Sequence, residues 1–230
     1  MFYDLHVHTS LSIGENTLDE VMEFARRFNL DGIGVVTYYD GRIEKVPNVK
    51  GIDIVQVVMI KPSTPDDLNQ TAAKIRSKAE IIAVHGGNYD INRAACESPL
   101  VDMLCHPELG RIDSGIDHIC AKAAKDNSVA IEINFREILE AAGKKRMYIM
   151  AGMRRNIKLC THYGTKIVTT SGAVSKWNLR SGRELAAVTH LLGMELGNAI
   201  ATTSIIPADL VVKNRERLQH KQWEGLRVVD

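Results

Sequence analysis

No apolar run in the chain approaches the roughly 18 residues that a bilayer crossing requires, so no membrane span is expected. No signal peptide opens it either. Asp4, His6 and His8 fall too early for a leader, and an intracellular, cytoplasmic protein is expected. Cysteine is sparse: Cys96, Cys105, Cys120 and Cys160 are far apart in sequence, with no Cys-x-x-Cys pair. That pattern disfavours disulfides and zinc knuckles and favours buried free thiols in a reducing compartment. No Gly-x-Gly-x-x-Gly follows the first apolar segment, which removes the dinucleotide-binding form of an open doubly wound sheet. Bulk charge is absent as well, the net charge being +1. The halves nevertheless differ. Residues 1–130 hold 13 Lys and Arg against 19 Asp and Glu, a net of −6, whereas residues 131–230 hold 16 against 9, a net of +7. Such asymmetry suits an anionic partner on one side, although an uneven solvated surface explains it equally.

What is present is a core. At 230 residues and 45% hydrophobic composition, the chain can bury a full interior. Short Val- and Ile-rich segments at 2–8, 32–37, 53–60, 81–85, 103–106, 129–135 and 166–171 are apolar on both faces, as strands of a buried parallel sheet are. Helical segments alternate with them. Thr17 and Glu20 form a capping box ahead of Leu18, Val21, Met22, Ala25 and Phe28. Thr64-Pro65 caps a segment with Leu68, Ala72, Ile75 and Ala79 on one face. Gly115 opens another, in which Ile116, Ile119, Cys120 and Ala123 are expected to share the buried face. Longer helices are expected over 148–163 and 183–192. No low-complexity linker divides the series, so residues 1–230 are expected to form one α/β domain. The expected architecture is a distorted TIM-like (β/α) barrel of about seven parallel strands, with a polar basic tail from about residue 213. That tail, Lys213 to Lys221, is expected either to order on binding RNA or a partner or simply to fray.

In a barrel the strand C-termini converge on one rim. Read in order, those ends carry His6/His8, Tyr38-Tyr39, Lys61, His85, His106-Pro107-Glu108, Glu132-Ile133-Asn134 and Ser171-Gly172-Ala173. Residues two apart on a strand share a face, so His6 and His8 point the same way. Pro107 is expected to hold His106 in extended geometry, aimed at the rim.

The His-x-His opening, the strand-ending His106-Pro107 and the seven-strand plan resemble the polymerase-and-histidinol-phosphatase (PHP) family, which implies a multinuclear metal phosphoesterase site. The resemblance is incomplete. Tyr38-Tyr39 stands where that family has Asp-His, Ser171-Gly172-Ala173 stands where it has Asp-x-His, and no acidic ligand follows the third strand near Lys61. Two-metal hydrolysis needs bridging carboxylates and imidazoles, and the residues left would hold at most one ion.

A second resemblance spans almost the whole chain. The runs Gly86 to Glu97, Val101 to Pro107, Arg111 to His118, Val129 to Phe135 and Ser171 to Ser181 are similar, in order and spacing, to the archaeal ribonuclease P protein component 3 family, related to the eukaryotic 30 kDa subunit. The resemblance implies a metal-depleted PHP-like barrel. It implies a role as protein subunit of a tRNA-processing ribonucleoprotein endonuclease whose chemistry belongs to a catalytic RNA and its Mg²⁺. The implied partners are that RNA, precursor tRNA and a small RRM-like subunit (component 2), two copies of each protein forming a heterotetramer. No metal or other cofactor is expected on this chain.

Within that frame Arg93, Arg111 and Arg180 are candidate RNA contacts, since guanidinium grips phosphate bidentately. The plainer alternative is a salt bridge to Glu97, Glu108 or Asp113. Arg154, Arg155 and Lys158 form a basic helical stripe that suits RNA or a solvated face. His6, His8 and His106 are read as a residual metal-like site, more simply a hydrogen-bonded relic filling the barrel mouth. Tyr38-Tyr39 could stack a base, or fill the emptied metal pocket. A stand-alone metallophosphoesterase and a scaffold that touches only protein are the competing functions.

Overall fold

The computed structural model describes residues 1–219 and the backbone of a short antiparallel strand pair, Gln222–Trp223 and Leu226–Arg227. Seven parallel strands pair in sequence order. They are β1 (Tyr3–Val7), β2 (Gly32–Tyr38), β3 (Asp53–Ile60), β4 (Ile81–His85), β5 (Met103–Cys105), β6 (Ala130–Asn134) and β7 (Ile167–Thr170). Helix α1 (Leu18–Arg27) follows β1, while β2 and β3 are joined without a helix. Helices α2 (Pro65–Ile75), α3 (Tyr89–Glu97) and α4 (His118–Asp126) link the next strands. Helices α5 (Phe135–Glu140) and α6 (Gly143–Tyr163) connect β6 to β7, and α7 (Gly182–Leu191), α8 (Leu196–Ala201) and α9 (Ile205–Leu218) follow.

The sheet curls into a nearly closed barrel. Between β1 and β7 a Val7–Ala173 bridge replaces a full ladder, reinforced by the His8 amide donating to the Ala173 carbonyl at 2.8 Å. The Asp4 carboxylate accepts the Ser171 amide at 3.1 Å across the same seam. Apolar side chains bury on both strand faces, as the continuous Val/Ile runs require. One set, including Leu5, Val57, Met59, Ile81, Met103 and Val168, fills the barrel. Another, including Val58, Ile60, Leu104, Ile131 and Ile133, packs under α2, α3, α4 and α6. All four cysteines are buried free thiols. No helix among the described residues is long and apolar enough to cross a membrane.

The capping signals act where the sequence puts them. Thr17 and Glu20 close a reciprocal capping box on α1, and Thr64 caps α2 with Pro65 in its first turn. The segment opened by Gly115 differs from expectation. Gly115 is a left-handed turn (φ +75°), and a Cβ there would lie 1.8 Å from the Pro107 carbonyl. The helix begins only at His118, capped by Asp117, which shifts its buried face to Cys120, Ala121 and Ala124 and leaves Ile119 exposed.

The expected tail is also different as far as it is described. Residues 213–218 finish α9, which covers the N-terminal end of the barrel and sends Leu210 and Val211 into the interior cluster. Lys221 lies outside the described residues. Arg215 clamps α9 to the strand starts. Its guanidinium meets both oxygens of Asp53 at 2.8 and 2.9 Å and Glu80 at 2.5 Å. Charge-assisted bidentate bonds of this kind, half shielded from water, contribute more than exposed pairs. Arg215→Ala is expected to cost about 2 kcal/mol, read as a shifted urea midpoint with an unchanged slope. A loss too small to measure would mean the clamp is ornamental.

Candidate functional site: the barrel mouth and the basic helix

The rim histidines come together as the alternation predicts. His6 and His8 share a face, their Nε2 atoms 3.2 Å apart. His106 packs on both His6 and His85, with ring centroids 5.0 and 5.1 Å apart. The centre of the cluster is Glu132, fully buried on β6. Its Oε1 meets His6 Nδ1 at 2.6 Å and accepts the Thr170 hydroxyl at 2.6 Å and the Asn134 amide at 3.2 Å. Its Oε2 accepts the His106 backbone amide at 3.2 Å. Both oxygens of this carboxylate are engaged by protein.

His106 is not extended. It adopts a left-handed backbone (φ +47°) despite the proline that follows. The chain must reverse at once into the turn in which the Leu109 amide donates to the His106 carbonyl, while the His106 amide reaches back to Glu132. Those two bonds override the local preference. His106 Nδ1 stands 3.5 Å from Glu132 and 3.6 Å from Glu137, too far for a hydrogen bond, and is left without a partner.

The electrostatics follow from burial. The His8 imidazole is pushed down to about 2 by burial and by His6 and Arg136. His106 is pushed down to about 3 by burial, with Glu132 opposing and His6, His85 and Arg136 adding. Burial alone would raise Glu132, but His6 and His106 face it and hold its carboxyl well below the usual range. Asp4 is raised to about 6 by burial, against hydrogen bonds from Ser171 and His6. The structure therefore holds His8 and His106 neutral at ordinary pH, unsuited to donating a proton.

Donor atoms of His6, Cys105 and Glu132 lie within 4.8 Å of one another, enough for one ion at most. Burial and the adjacent Glu132 raise the Cys105 thiol well above its ordinary value, so it is a poor ligand. His8 Nδ1 is tied to the Ser12 hydroxyl at 3.0 Å, and the Tyr38 ring stacks on His8 at 5.9 Å. Lys61 lies 4.4 Å over the Tyr38 ring, bringing a cation to the mouth. At the far rim Gly172 (φ +62°) sits so close to Asn134 that a Cβ would fall 2.3 Å from its Oδ1, which leaves no room for a ligating side chain. These residues do not fit a carboxylate-bridged pair of divalent ions.

The basic candidates divide. Arg93 pairs with Glu97 at 2.9 Å on exposed α3, and Arg111 grips Asp113 at 2.6 and 2.7 Å, so the expected salt bridges form. Glu108 is no partner to either, being buried with both oxygens unbonded. Arg180 donates to the Trp177 and Leu179 carbonyls and lies 5.4 Å over the Phe135 ring. Arg154, Arg155 and Lys158 are exposed together on α6, in none of the ion pairs found among the described residues. From 141 to 183 the chain holds ten Lys and Arg and no carboxylate. Helix α6 thus carries cations from Lys144 to Lys158, over about 21 Å of its length.

Sequence reasoning put Glu132 and Thr170 at the strand-end rim but gave neither a role, and gave none to Asn92. The buried Asn92 amide donates to the Pro107 and Gly115 carbonyls and accepts from Gly87, locking the loops of the Gly86 to Glu97 run. A polar residue on the inward helix face was the available signal. Glu132, as an acid amid an apolar strand, gave a similar one.

The fold is a PHP-like barrel, and the described residues of its mouth do not make a carboxylate-bridged two-metal site. Histidinol phosphate phosphatase from Lactococcus lactis, solved with zinc, L-histidinol and phosphate, shares the fold at a TM-score of 0.56 and 11% identity, covering 84% of this chain and 94% of that one. More specifically, the chain belongs to the RNase P subunit p30 family, whose model matches residues 1–219. Ribonuclease P protein component 3 of Methanosarcina barkeri is 31% identical over all of this chain and 96% of its own length. That of Methanococcoides burtonii is 35% identical over 93% of this chain and 88% of its own. A chain of archaeal ribonuclease P, solved by cryo-EM with mature tRNA, superposes at a TM-score of 0.77 with 26% identity over 98% of this chain and 97% of that one.

Proposed function

We propose that this chain is a protein subunit of ribonuclease P, supporting a catalytic RNA in the endonucleolytic removal of 5′ leaders from precursor tRNA. The observation that carries this reading is the family match across residues 1–219. The mouth agrees with it in chemistry: two-metal hydrolysis needs bridging carboxylates, whereas Glu132, the carboxylate at its centre, is tied to His6, Thr170, Asn134 and the His106 amide, so the cut belongs to the RNA and its Mg²⁺. The chain acts as one domain over residues 1–230 in the cytoplasm. It meets ribonuclease P RNA, precursor tRNA and the small RRM-like subunit, component 2, as a heterotetramer.

RNA contact is assigned first to Arg154, Arg155 and Lys158. A helix with six Lys and Arg and no acid carries like-charge repulsion that an anionic partner relieves. Arg93, Arg111 and Arg180 contribute by exchanging local partners for phosphate. Reversing Arg154 and Lys158 to Glu is expected to reduce the salt dependence of assembly with the RNA by about two units of log K per log salt. Filter binding across a salt series reads this slope, and an unchanged slope would remove α6 from the interface.

The function itself is tested by precursor-tRNA cleavage at limiting Mg²⁺, with the RNA alone, with component 2, and with component 2 plus this chain. Stimulation only in the full mixture is expected. Phosphomonoester turnover by the protein alone with added Mn²⁺, without any effect on the RNA, would instead make it a stand-alone phosphoesterase.

A further inference from the structure

The two tyrosines at the end of β2 part company. Tyr38 turns into the barrel mouth over His8, whereas Tyr39, the next residue, turns out. Tyr39 packs its inner edge on the outer core and, with Gly41, Arg42, Ile43, Lys74, Ile75 and Lys78, lines a recess of about 370 Å³ between the β2–β3 loop and α2. Three cations border this recess and no carboxylate lines it. The Tyr39 hydroxyl is tethered to the Gly41 carbonyl at 3.2 Å, which sets the ring's angle, and Lys74 Nζ lies 5.9 Å over its face. Arg42 is only loosely engaged, 3.8 Å from Glu44 and largely exposed. Lys74 alone would be explained by its place in the last turn of α2, where a cation complements the helix dipole. That account leaves the aromatic floor, Arg42 and Lys78 unexplained.

We propose that this recess binds an unpaired nucleotide of RNA, its base stacked on Tyr39 and its flanking phosphates held by Arg42, Lys74 and Lys78. The volume suits one small ligand. A flat aromatic beside cations is the recurring device for single-stranded nucleic acid, and it tolerates sequence because every base has a face to stack. Lys74, loosely placed over the ring, exchanges that face for a phosphate when the base arrives. Ile43 and Ile75 form the apolar walls, so base identity is read weakly. The proposal rests on the ribonuclease P reading only in taking RNA as the ligand, and it concerns a surface distinct from α6.

The test uses the intact protein without catalytic RNA, so its failure is separate from failure of the cleavage experiment. Fluorescein-labelled pentauridylate is titrated and followed by anisotropy, and uridine 5′-monophosphate is titrated separately by NMR. Tyr39→Leu is expected to weaken pentauridylate about fivefold or more, and Tyr39→Trp to retain it. Lys74→Glu with Lys78→Glu is expected to weaken it further. Binding of a short RNA duplex should be indifferent to Tyr39→Leu. Saturable binding of the mononucleotide that Tyr39→Leu abolishes would assign the recess to free nucleotides as well, and binding of pentauridylate alone would assign it to a strand. No binding of either, or pentauridylate binding unchanged by Tyr39→Leu in a folded variant, would overturn the proposal.

Discussion

Glu132→Ala is expected to destabilise the protein by about 3–5 kcal/mol, the range found when one member of a buried ionic cluster is removed. The substitution takes away the acceptor of His6, Thr170, Asn134 and the His106 amide together, and none of these groups has water to turn to. It also removes what holds the left-handed turn at His106. Glu132→Gln keeps the volume and part of the acceptor capacity and should lose roughly half as much. Urea unfolding near neutral pH measures both. A loss below about 1 kcal/mol for Glu132→Ala would show that the mouth reorganises freely and that the cluster does not hold it. The same residues govern acid sensitivity. Glu132, His8 and His106 all have folded values below their ordinary ones. The unfolded chain therefore takes up protons first, and the stability these groups contribute at neutral pH is lost as pH falls.

Glu108→Gln should do the opposite, increasingly as pH rises above 4.5. Burial raises the Glu108 carboxyl from 4.5 to about 8, with Glu132 and Glu137 adding to the rise and its own backbone amide opposing it. Below 4.5 folded and unfolded chains both hold the proton, so Glu108 does not bias folding there. Between 4.5 and about 8 the unfolded chain releases it while the folded one keeps it, so stability falls as pH rises. The neutral amide cannot titrate and removes this slope. The variant's advantage is expected to grow from near zero at about pH 4.5 to about 4 kcal/mol at about pH 8, at about 1.36 kcal/mol per pKa unit between the folded and unfolded values. Urea midpoints at the two pH values decide it. An advantage no larger at the higher pH would mean that Glu108 ionises in the fold and finds a partner there.

Both effects trace to residues that the sequence displays without explaining. The seven strands were legible as Val- and Ile-rich runs, and their observed limits all lie within one residue of expectation. The Thr17–Glu20 box and the Thr64-Pro65 cap were legible for the same reason, since each motif completes itself within four residues. The shared face of His6 and His8 follows from alternation alone. Ile119 was misplaced because a left-handed Gly115 and the Asp117 cap delay the helix, and a few residues of delay rotate the buried face. The end of α9 read as a polar tail because Arg215 meets Asp53 and Glu80 far away in sequence, where composition cannot see them.

By itself the sequence determined the strand periodicity, the helix starts and, through motif order, the family, because these depend on neighbours a few residues apart or on spacing along the chain. Only the tertiary structure decided what the mouth is. Glu132 draws its partners from 126, 38 and 26 residues away, and their convergence turns ligand-like histidines into a closed hydrogen-bonded cluster. The same barrel curvature sends Tyr38 inward and Tyr39 outward and leaves the acid-free face of α6 in solvent. Which polar groups are desolvated, and which stay free to meet phosphate, is a property of packing across the whole chain.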